Sequence, residues 1–255
     1  MPEKEPVLQL DGLSKHFGGL IAVNQVSLTI YPGEVVGLLG DNGAGKSTLI
    51  KMISGVYRPD QGTISIDSTP VHFSTPMDAR KAGIETIYQD LALCENLDAS
   101  SNLFLGREPL KRRLGLFKEL DRKLMQSEAH TLLEQLDIQI PDLTRPIREL
   151  SGGQRQAIAI ARTIYWNARL LIMDEPTAAL GVPEQRKVLQ LIRTLRERGT
   201  PILLISHNMQ DVFEVADRVI VLRQGRKVGE RLIQETNQNE IISLITGSEQ
   251  KGLHA

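Results

Sequence analysis

The sequence predicts an α/β chain: a parallel sheet flanked by helices, with a helical lobe inserted in its middle. Three observations predict it. Strand-like alternation fills the first third, helical periodicity takes over from about 91 to 165, and strand and helix alternate again afterwards.

Val26, Leu28 and Ile30 alternate with Ser27, Thr29 and Tyr31, and Ile64 and Ile66 with Ser65 and Asp67, the period of a half-buried strand. Pro32-Gly33 reads as a turn, and the apolar run Val35–Leu39 as a strand covered on both faces. A helix is expected to open near Gly45, to show Leu49, Ile50 and Ile53 on one face, and to stop at Gly55. Met125, Ala129, Leu132, Leu133 and Leu136 share one face of an amphipathic helix. Ala157, Ile160, Ala161 and Ile164 are expected to form another behind Ser151. Leu170–Met173 reads as a buried strand, Val188, Leu191, Ile192 and Leu195 as a helix ended by Gly199, and Ile202–Ile205 as the next strand. Beyond about Gly225 lie strand-like and helical fragments without recognisable chemistry.

At 255 residues the chain can bury a sizeable core as one domain, or as one domain with an inserted lobe. Its 41% hydrophobic and 24% charged residues are those of an ordinary globular protein. The 30 Lys and Arg against 31 Asp and Glu leave a net charge of -1, which argues against a dedicated nucleic-acid binder. One cysteine, Cys94, leaves no intramolecular disulfide to form. The N-terminus reads without a signal peptide, and no run approaches the roughly 20 apolar residues that cross a bilayer. The expectation is a cytoplasmic protein whose membrane role, if it has one, comes through a partner. No internal repeat is visible.

The strongest chemical signal is Gly40-Asp41-Asn42-Gly43-Ala44-Gly45-Lys46-Ser47, followed by Thr48. The pattern G-x-x-x-x-G-K-[ST] stands here after a strand and opens a helix, as its chemistry requires. Glycines let successive N–H groups point at phosphate oxygens, the helix N-terminus adds its dipole, and Lys46 supplies a full charge. Ser47 offers a hydroxyl to Mg²⁺. Leu170–Met173 then runs into Asp174-Glu175-Pro176, which sets Asp174 at the carboxyl end of a buried strand, where open α/β sheets bind ligands. Asp174 is the expected magnesium-side carboxylate, and Glu175 the group that orients or deprotonates an attacking water. His207 closes the next strand, Pro201–Ser206, so that it joins the same rim within reach of a γ-phosphate. Leu150-Ser151-Gly152-Gly153-Gln154 precedes a helix as a capped, glycine-bared N-terminus, a second anion-receiving end. Two such ends serve one nucleotide if the second belongs to another subunit.

In this order and spacing the motifs resemble the ATP-binding cassette (ABC) ATPases over about residues 7 to 225. The resemblance implies a P-loop NTPase (RecA-like) core with an N-terminal antiparallel β subdomain and an inserted α-helical subdomain. It implies one ATPase domain over 1–255, with the core at about 7–90 and 166–225, the helical part at about 91–165 and a C-terminal extension at about 226–255. Gln89, in Ile87-Tyr-Gln-Asp90, matches the glutamine that senses Mg²⁺ and the membrane partner, and Phe17 matches the aromatic that stacks on adenine. Within the family, residues 40–48, Tyr88–Glu108 and Thr177–Gly181 look like simple-sugar importers.

That likeness implies ATP and Mg²⁺ as ligands, ATP hydrolysis coupled to transport, a second ATPase subunit, membrane permease subunits, an extracytoplasmic sugar-binding protein and a place on the cytoplasmic face of the membrane. The chain departs from the pattern twice. Many such importers fuse two cassettes where this chain has one, and Leu180-Gly181 stands where Leu-Asp is usual, an aspartate that reaches across the dimer. Rival readings are a soluble cassette protein of DNA repair or translation, an importer subunit for another solute such as amino acids, and a small-molecule kinase. The basic cluster Arg107, Lys111, Arg112 and Arg113 reads as a solvated face, or else as a contact for partner loops or anionic head groups.

Overall fold

The computed structural model describes residues 5–113, 117–166, 168–178 and 180–248. Ala179, within the Thr177–Gly181 stretch, and residues 249–255 of the expected C-terminal extension lie outside the described residues. The chain divides into two compact units, Met1–Thr86 with Ala168–Glu175 and Leu195–Ala255, and Ile87–Asn167 with Pro176–Thr194.

The first unit opens with strands β1 (Leu8–Phe17) and β2 (Leu20–Ile30), followed by β3 (Val35–Leu39) and helix α1 (Lys46–Ile53). Strands β4 (Gln61–Ile66) and β5 (Thr69–Val71), helix α2 (Pro76–Lys81) and strand β6 (Ile84–Ile87) come next. An antiparallel sheet in the order β2-β1-β4-β5 buries Leu8, Leu10, Val26, Leu28, Ile30, Ile64 and Ile66, while their alternating neighbours remain more exposed. This is the two-residue period seen in the sequence.

After the second unit's elements the chain returns as β9 (Leu170–Asp174), then, beyond helix α6 (Val182–Glu197), as β10 (Ile202–Ile205), helix α7 (Met209–Val215), β11 (Arg218–Arg223), β12 (Arg226–Leu232) and helix α8 (Gln238–Thr246). The second sheet has the order β12-β11-β3-β10-β9-β6. Pairs β11–β3, β3–β10 and β10–β9 are parallel, and β12 is an antiparallel partner of β11. Val35–Leu39, Leu170–Met173 and Ile202–Ile205 are buried throughout, which is why these strands read as unbroken apolar runs. Arg218, buried on β11, donates to Glu34 Oε1 at 2.6 Å and also meets Glu230 and the Thr29 carbonyl, so its desolvated charge is compensated on several sides.

The second unit holds α3 (Ala99–Phe104), strands β7 (Leu110–Arg113) and β8 (Phe117–Leu120), α4 (Arg122–Gln135), α5 (Gly152–Tyr165) and most of α6 (Val182–Glu197). Helices α3, α4 and α5 pack together over Leu103, Phe104, Met125, Ala129, Leu133 and Ile158. Phe104 meets Tyr165 edge-on, with ring centroids 4.6 Å apart.

Two expectations need correction here. The 91–165 stretch is not wholly helical, because β7 and β8 form an antiparallel hairpin inside it. Each strand has four residues, about one helical turn, too few for a period of 2 to be told from one of 3.6. On α5, Ala157 and Ile164 are only half-buried, whereas Gly153, Gln156, Ile158, Ala159 and Thr163 are buried together with Ile160 and Ala161. The middle of that helix is enclosed on most sides, so no single stripe describes it. Among the described residues no helix is long and apolar enough to cross a membrane.

Candidate functional site

Strands β3, β9 and β10 end level with one another, Ile205 lying beside both Leu38 and Asp174 in the register. The residues that follow each strand therefore share one rim of the sheet. After β3 the chain curls through Gly40–Gly45 into α1. Gly45 is the N-cap at φ 102°, and a Cβ there would lie 2.5 Å from the Ala22 carbonyl oxygen, so neither the conformation nor the space admits a side chain. No side chain caps α1, which leaves its first N–H groups facing outward. The Gly225 N–H donates to the Ala44 carbonyl at 3.0 Å and so braces the loop from the β11–β12 turn.

A cleft of about 410 Å³ opens over this loop. It is lined by Asp41, Asn42, Gly43, Ala44, Gly45, Lys46, Ser47 and Thr48, and also by Leu20, Ile21, Ala22 and Gln224. The last four carry no motif. Only the turn Gln224-Gly225, between Arg223 and Arg226, could have been noticed in the sequence. Phe17, at the end of β1, is not part of this lining; the residue is 42% exposed and its ring stands edge-on to Tyr57 at 5.3 Å.

Lys46 Nζ donates to the Gly40 carbonyl at 2.6 Å and to the Asp41 carbonyl at 3.1 Å, a bent-back position within its own loop. Burial lowers its pKa, against the opposing pull of Glu175, Asp41 and Asp174. Asp174 is moved the other way. Burial first, then the neighbouring Glu175 charge, raise its carboxyl above the usual range, while Lys46 and Lys51 draw it down. Carboxylates thus outnumber ammonium groups on this rim, an arrangement suited to a further cation.

Glu175 is held at φ 55°, a left-handed conformation that costs a non-glycine residue of the order of 1 kcal/mol or more. Its N–H donates to the Ile205 carbonyl at 2.9 Å, which fixes the backbone while the side chain turns onto the rim. There Glu175 Oε2 lies 2.7 Å from His207 Nδ1. His207 is 76% exposed and Glu175 18%, so the histidine presents its remaining edge to solvent. Lys46, Asp174, Glu175 and His207 are thus brought together, and what they offer is phosphate binding beside a carboxylate–imidazole pair.

In the second unit Ser151 caps α5 through a capping box. The Gln154 N–H donates to Ser151 Oγ at 3.3 Å, and the Ser151 N–H donates to Gln154 Oε1 at 2.9 Å. Gly152 and Gly153 have a packing reason beside any anionic one. A Cβ on Gly152 would meet the Leu180 side chain at 2.9 Å, and one on Gly153 would meet Glu184 Cγ at 2.7 Å. The turn after Glu175, through Leu180, and the start of α6, through Glu184, are therefore seated on the two glycines. A Cβ on Gly181 would lie 2.8 Å from Glu184 Oε2, so the position where an aspartate is usual has a carboxylate beside it three residues on.

Gln89 is exposed in the loop that follows β6. Arg162, far along α5, donates to the Leu91 and Ala92 carbonyls at 3.2 and 3.1 Å, and buried Asn102 ties down Cys94, Leu97 and Asp98. Neither residue was found from sequence, since an arginine or asparagine inside a helix is unremarkable until its partners are known. Arg107 lies over the Trp166 ring at 4.7 Å, and Lys111 pairs with Glu119 at 3.3 Å.

Comparison with known proteins agrees with this geometry. Residues 23–178 match the family model described as ABC transporter. The chain is 45% identical to a fructose import ATP-binding protein of Rhizobium meliloti, over 97% of this chain and 96% of the relative. It is 48% identical to a xylose/arabinose import ATP-binding protein of Sulfolobus acidocaldarius, over 94% of each. A ribose import ATP-binding protein of Jannaschia sp. is 41% identical over 96% of this chain, which spans 47% of that protein. Among solved structures, an ATP-binding cassette of an ABC transporter in its ADP conformation superposes with a TM-score of 0.79 at 26% identity, covering 96% of both chains. A dimeric cassette in a post-hydrolysis state with ADP and Pi gives 0.73 at 25% identity, over 90% of this chain and all of that one. Chain, rim and relatives agree: this protein belongs to the ABC transporter family, as one of its ATP-binding cassettes.

Proposed function

We propose that the chain is the ATP-hydrolysing subunit of an importer for a monosaccharide, working on the cytoplasmic face of a membrane through permease subunits carried on other chains. The observation that carries the reading is the shared rim, where Lys46, Asp174, Glu175 and His207 meet beside the glycine loop. The import function of relatives 45% and 48% identical over nearly the whole chain supports the sugar and the direction. A sugar-binding protein outside the membrane would deliver the substrate. The two units act as one ATPase domain, with a core at about 7–90 and 166–225 and a helical part at about 91–165.

In this reading the N–H groups of Gly40–Ser47 and the Lys46 ammonium hold the β and γ phosphates of ATP, with Thr48 continuing the cradle. Phe17, exposed at the end of β1, takes the adenine. Ser47, Asp174 and Gln89 would hold Mg²⁺. Hydroxyl, carboxylate and amide are the hard oxygen donors that ion prefers, and Asp174 with Glu175 beside it presents the negative charge such a cation needs. When bound, Mg²⁺ supplies neutralisation of phosphate charge. Glu175 orients the attacking water and accepts its proton, and His207, hydrogen-bonded to Glu175, positions that carboxylate and contacts the γ-phosphate.

Two copies face head to tail, and Ser151, Gly152, Gly153 and Gln154 of one receive the γ-phosphate held by the other. Hydrolysis then removes the group that both helix ends share, and the dimer opens. The test is uptake in cells that lack this chain. Transport of at least one pentose or hexose should be lost, returning with the wild-type gene and not with Glu175→Gln. Undiminished uptake of every sugar tried would refute the importer assignment.

A further inference from the structure

The β7–β8 hairpin is exposed on both of its faces. Leu110 is 56% exposed, Phe117 69% and Leu120 41%, and Leu124 at the start of α4 adds 43%. A two-stranded ribbon without a covered face is marginal in water. Its cations point outward too: Lys111, Arg112 and Lys118 are exposed, as are Arg122 and Lys123 beside it. The acids nearby are held in local bonds. Glu119 pairs with Lys111, Asp121 Oδ1 accepts from the Leu124 N–H at 3.2 Å, and Glu108 Oε1 accepts from the Gly106 N–H at 3.0 Å. Residues 107–123 carry seven Lys and Arg against three Asp and Glu, in a chain whose net charge is -1.

We propose that this hairpin is a lipid-contact element, whose face with Leu110 paired to Leu120 and Arg112 paired to Lys118 sets its leucines into the head-group region of an anionic membrane while its cations meet the phosphates. Interleaved leucine, phenylalanine and basic residues are the composition of interfacial segments. Neither feature would suffice by itself. Exposed apolar side chains would suit a protein partner as well as a bilayer, but the local surplus of cations, with Glu119 on the other face and paired to Lys111, favours a surface of dense negative charge. The inference stands on the hairpin and does not depend on the nucleotide site.

The experiment is sedimentation of the purified chain with phosphatidylcholine vesicles, with and without phosphatidylglycerol. The wild type should partition to the anionic vesicles and be released by salt. Arg112→Gln with Lys118→Gln should weaken that binding about fivefold for each charge removed. Leu110→Ser should weaken it about tenfold. ATP turnover and thermal midpoint should stay at wild-type values, since none of these residues belongs to the nucleotide machinery. Equal binding to neutral and anionic vesicles would overturn the proposal, as would variants that bind like the wild type. Wild-type vesicle binding by the variants, combined with failure to assemble with membrane proteins in detergent, would reassign the hairpin to a protein contact.

Discussion

Glu175→Gln isolates the chemistry of the rim from its architecture. The substitution keeps length and shape and should keep the left-handed backbone at φ 55°, because the Glu175 N–H to Ile205 bond does not involve the side chain. It deletes one negative charge, and the structure says what that charge does. Its pair with His207 at 2.7 Å is made to a ring 76% exposed, which limits the loss to about 1 kcal/mol or less. Repulsion of Asp174 is relieved and attraction of Lys46 is lost, two changes of opposite sign. Folding stability should therefore stay within about 1 kcal/mol of wild type. Turnover should not. Loss of a positioned general base costs roughly 10²- to 10⁴-fold, so phosphate release should fall at least a hundredfold while ATP affinity persists. With hydrolysis blocked, ATP should hold the protein as a dimer in gel filtration. Turnover within threefold of wild type would refute the role given to Glu175. A stability loss above about 2 kcal/mol would show instead that the residue is a structural member of the rim.

Asp174→Asn tests the electrostatics by pH. A carboxyl with a raised folded pKa favours folding at low pH, and that contribution is lost as pH rises from the unfolded value of 3.8 through the folded one. The variant should therefore gain stability relative to wild type between pH 4 and pH 7 in thermal melts, and a difference independent of pH would contradict the burial argument. Gly45→Ala should cost about 2 kcal/mol or more through its left-handed backbone and the clash with Ala22, and should weaken nucleotide binding. Calorimetric titration and melting would both report it, and wild-type values in both would exclude the strain. Arg162→Ala removes two charge-assisted bonds to Leu91 and Ala92, each worth about 1.5–3 kcal/mol. Amide exchange over residues 89–94 should accelerate more than tenfold, and unchanged protection there would show that the loop is held by other contacts.

The parts of the fold legible in the sequence are those where one rule governs a whole element. Strands β3, β9 and β10 are covered on both faces, so composition decides them, and a carboxylate at the end of such a run has to stand at the sheet edge. Helix α4 has one buried face, and its period shows it. The hairpin at 110–120 is too short for either period, and α5 is enclosed on too many sides for a stripe. The rim follows the same logic. Lys46, Asp174 and His207 end or follow strands that the pairing order brings level, whereas Leu20, Ile21 and Ala22 at the start of β2 and Gln224 in a turn reach the cleft through tertiary contacts. The glycines at 152 and 153 were read as bare N–H groups for an anion. That they also seat Leu180 and Glu184 required coordinates, because nothing at residue 152 announces a neighbour nearly thirty positions away.

The two helix ends that would share a γ-phosphate are not alike, and the difference orders the events. At α1 the cap is a glycine that gives no side-chain hydrogen bond, so an arriving phosphate breaks no cap and draws only the Lys46 ammonium from the Gly40 and Asp41 carbonyls. At α5 the Ser151–Gln154 box already satisfies the Gln154 N–H, so that the Gly152 and Gly153 N–H groups are what remains for a phosphate. Given equal ligand, the uncapped end with its adjoining lysine should fill first. The capped end gains a net advantage once a phosphate is presented at high local concentration by another molecule, as the proposed partner cassette would do. In the proposed reading, the partly capped end would keep empty subunits apart, and ATP held in the glycine loop would be the condition for closing the pair.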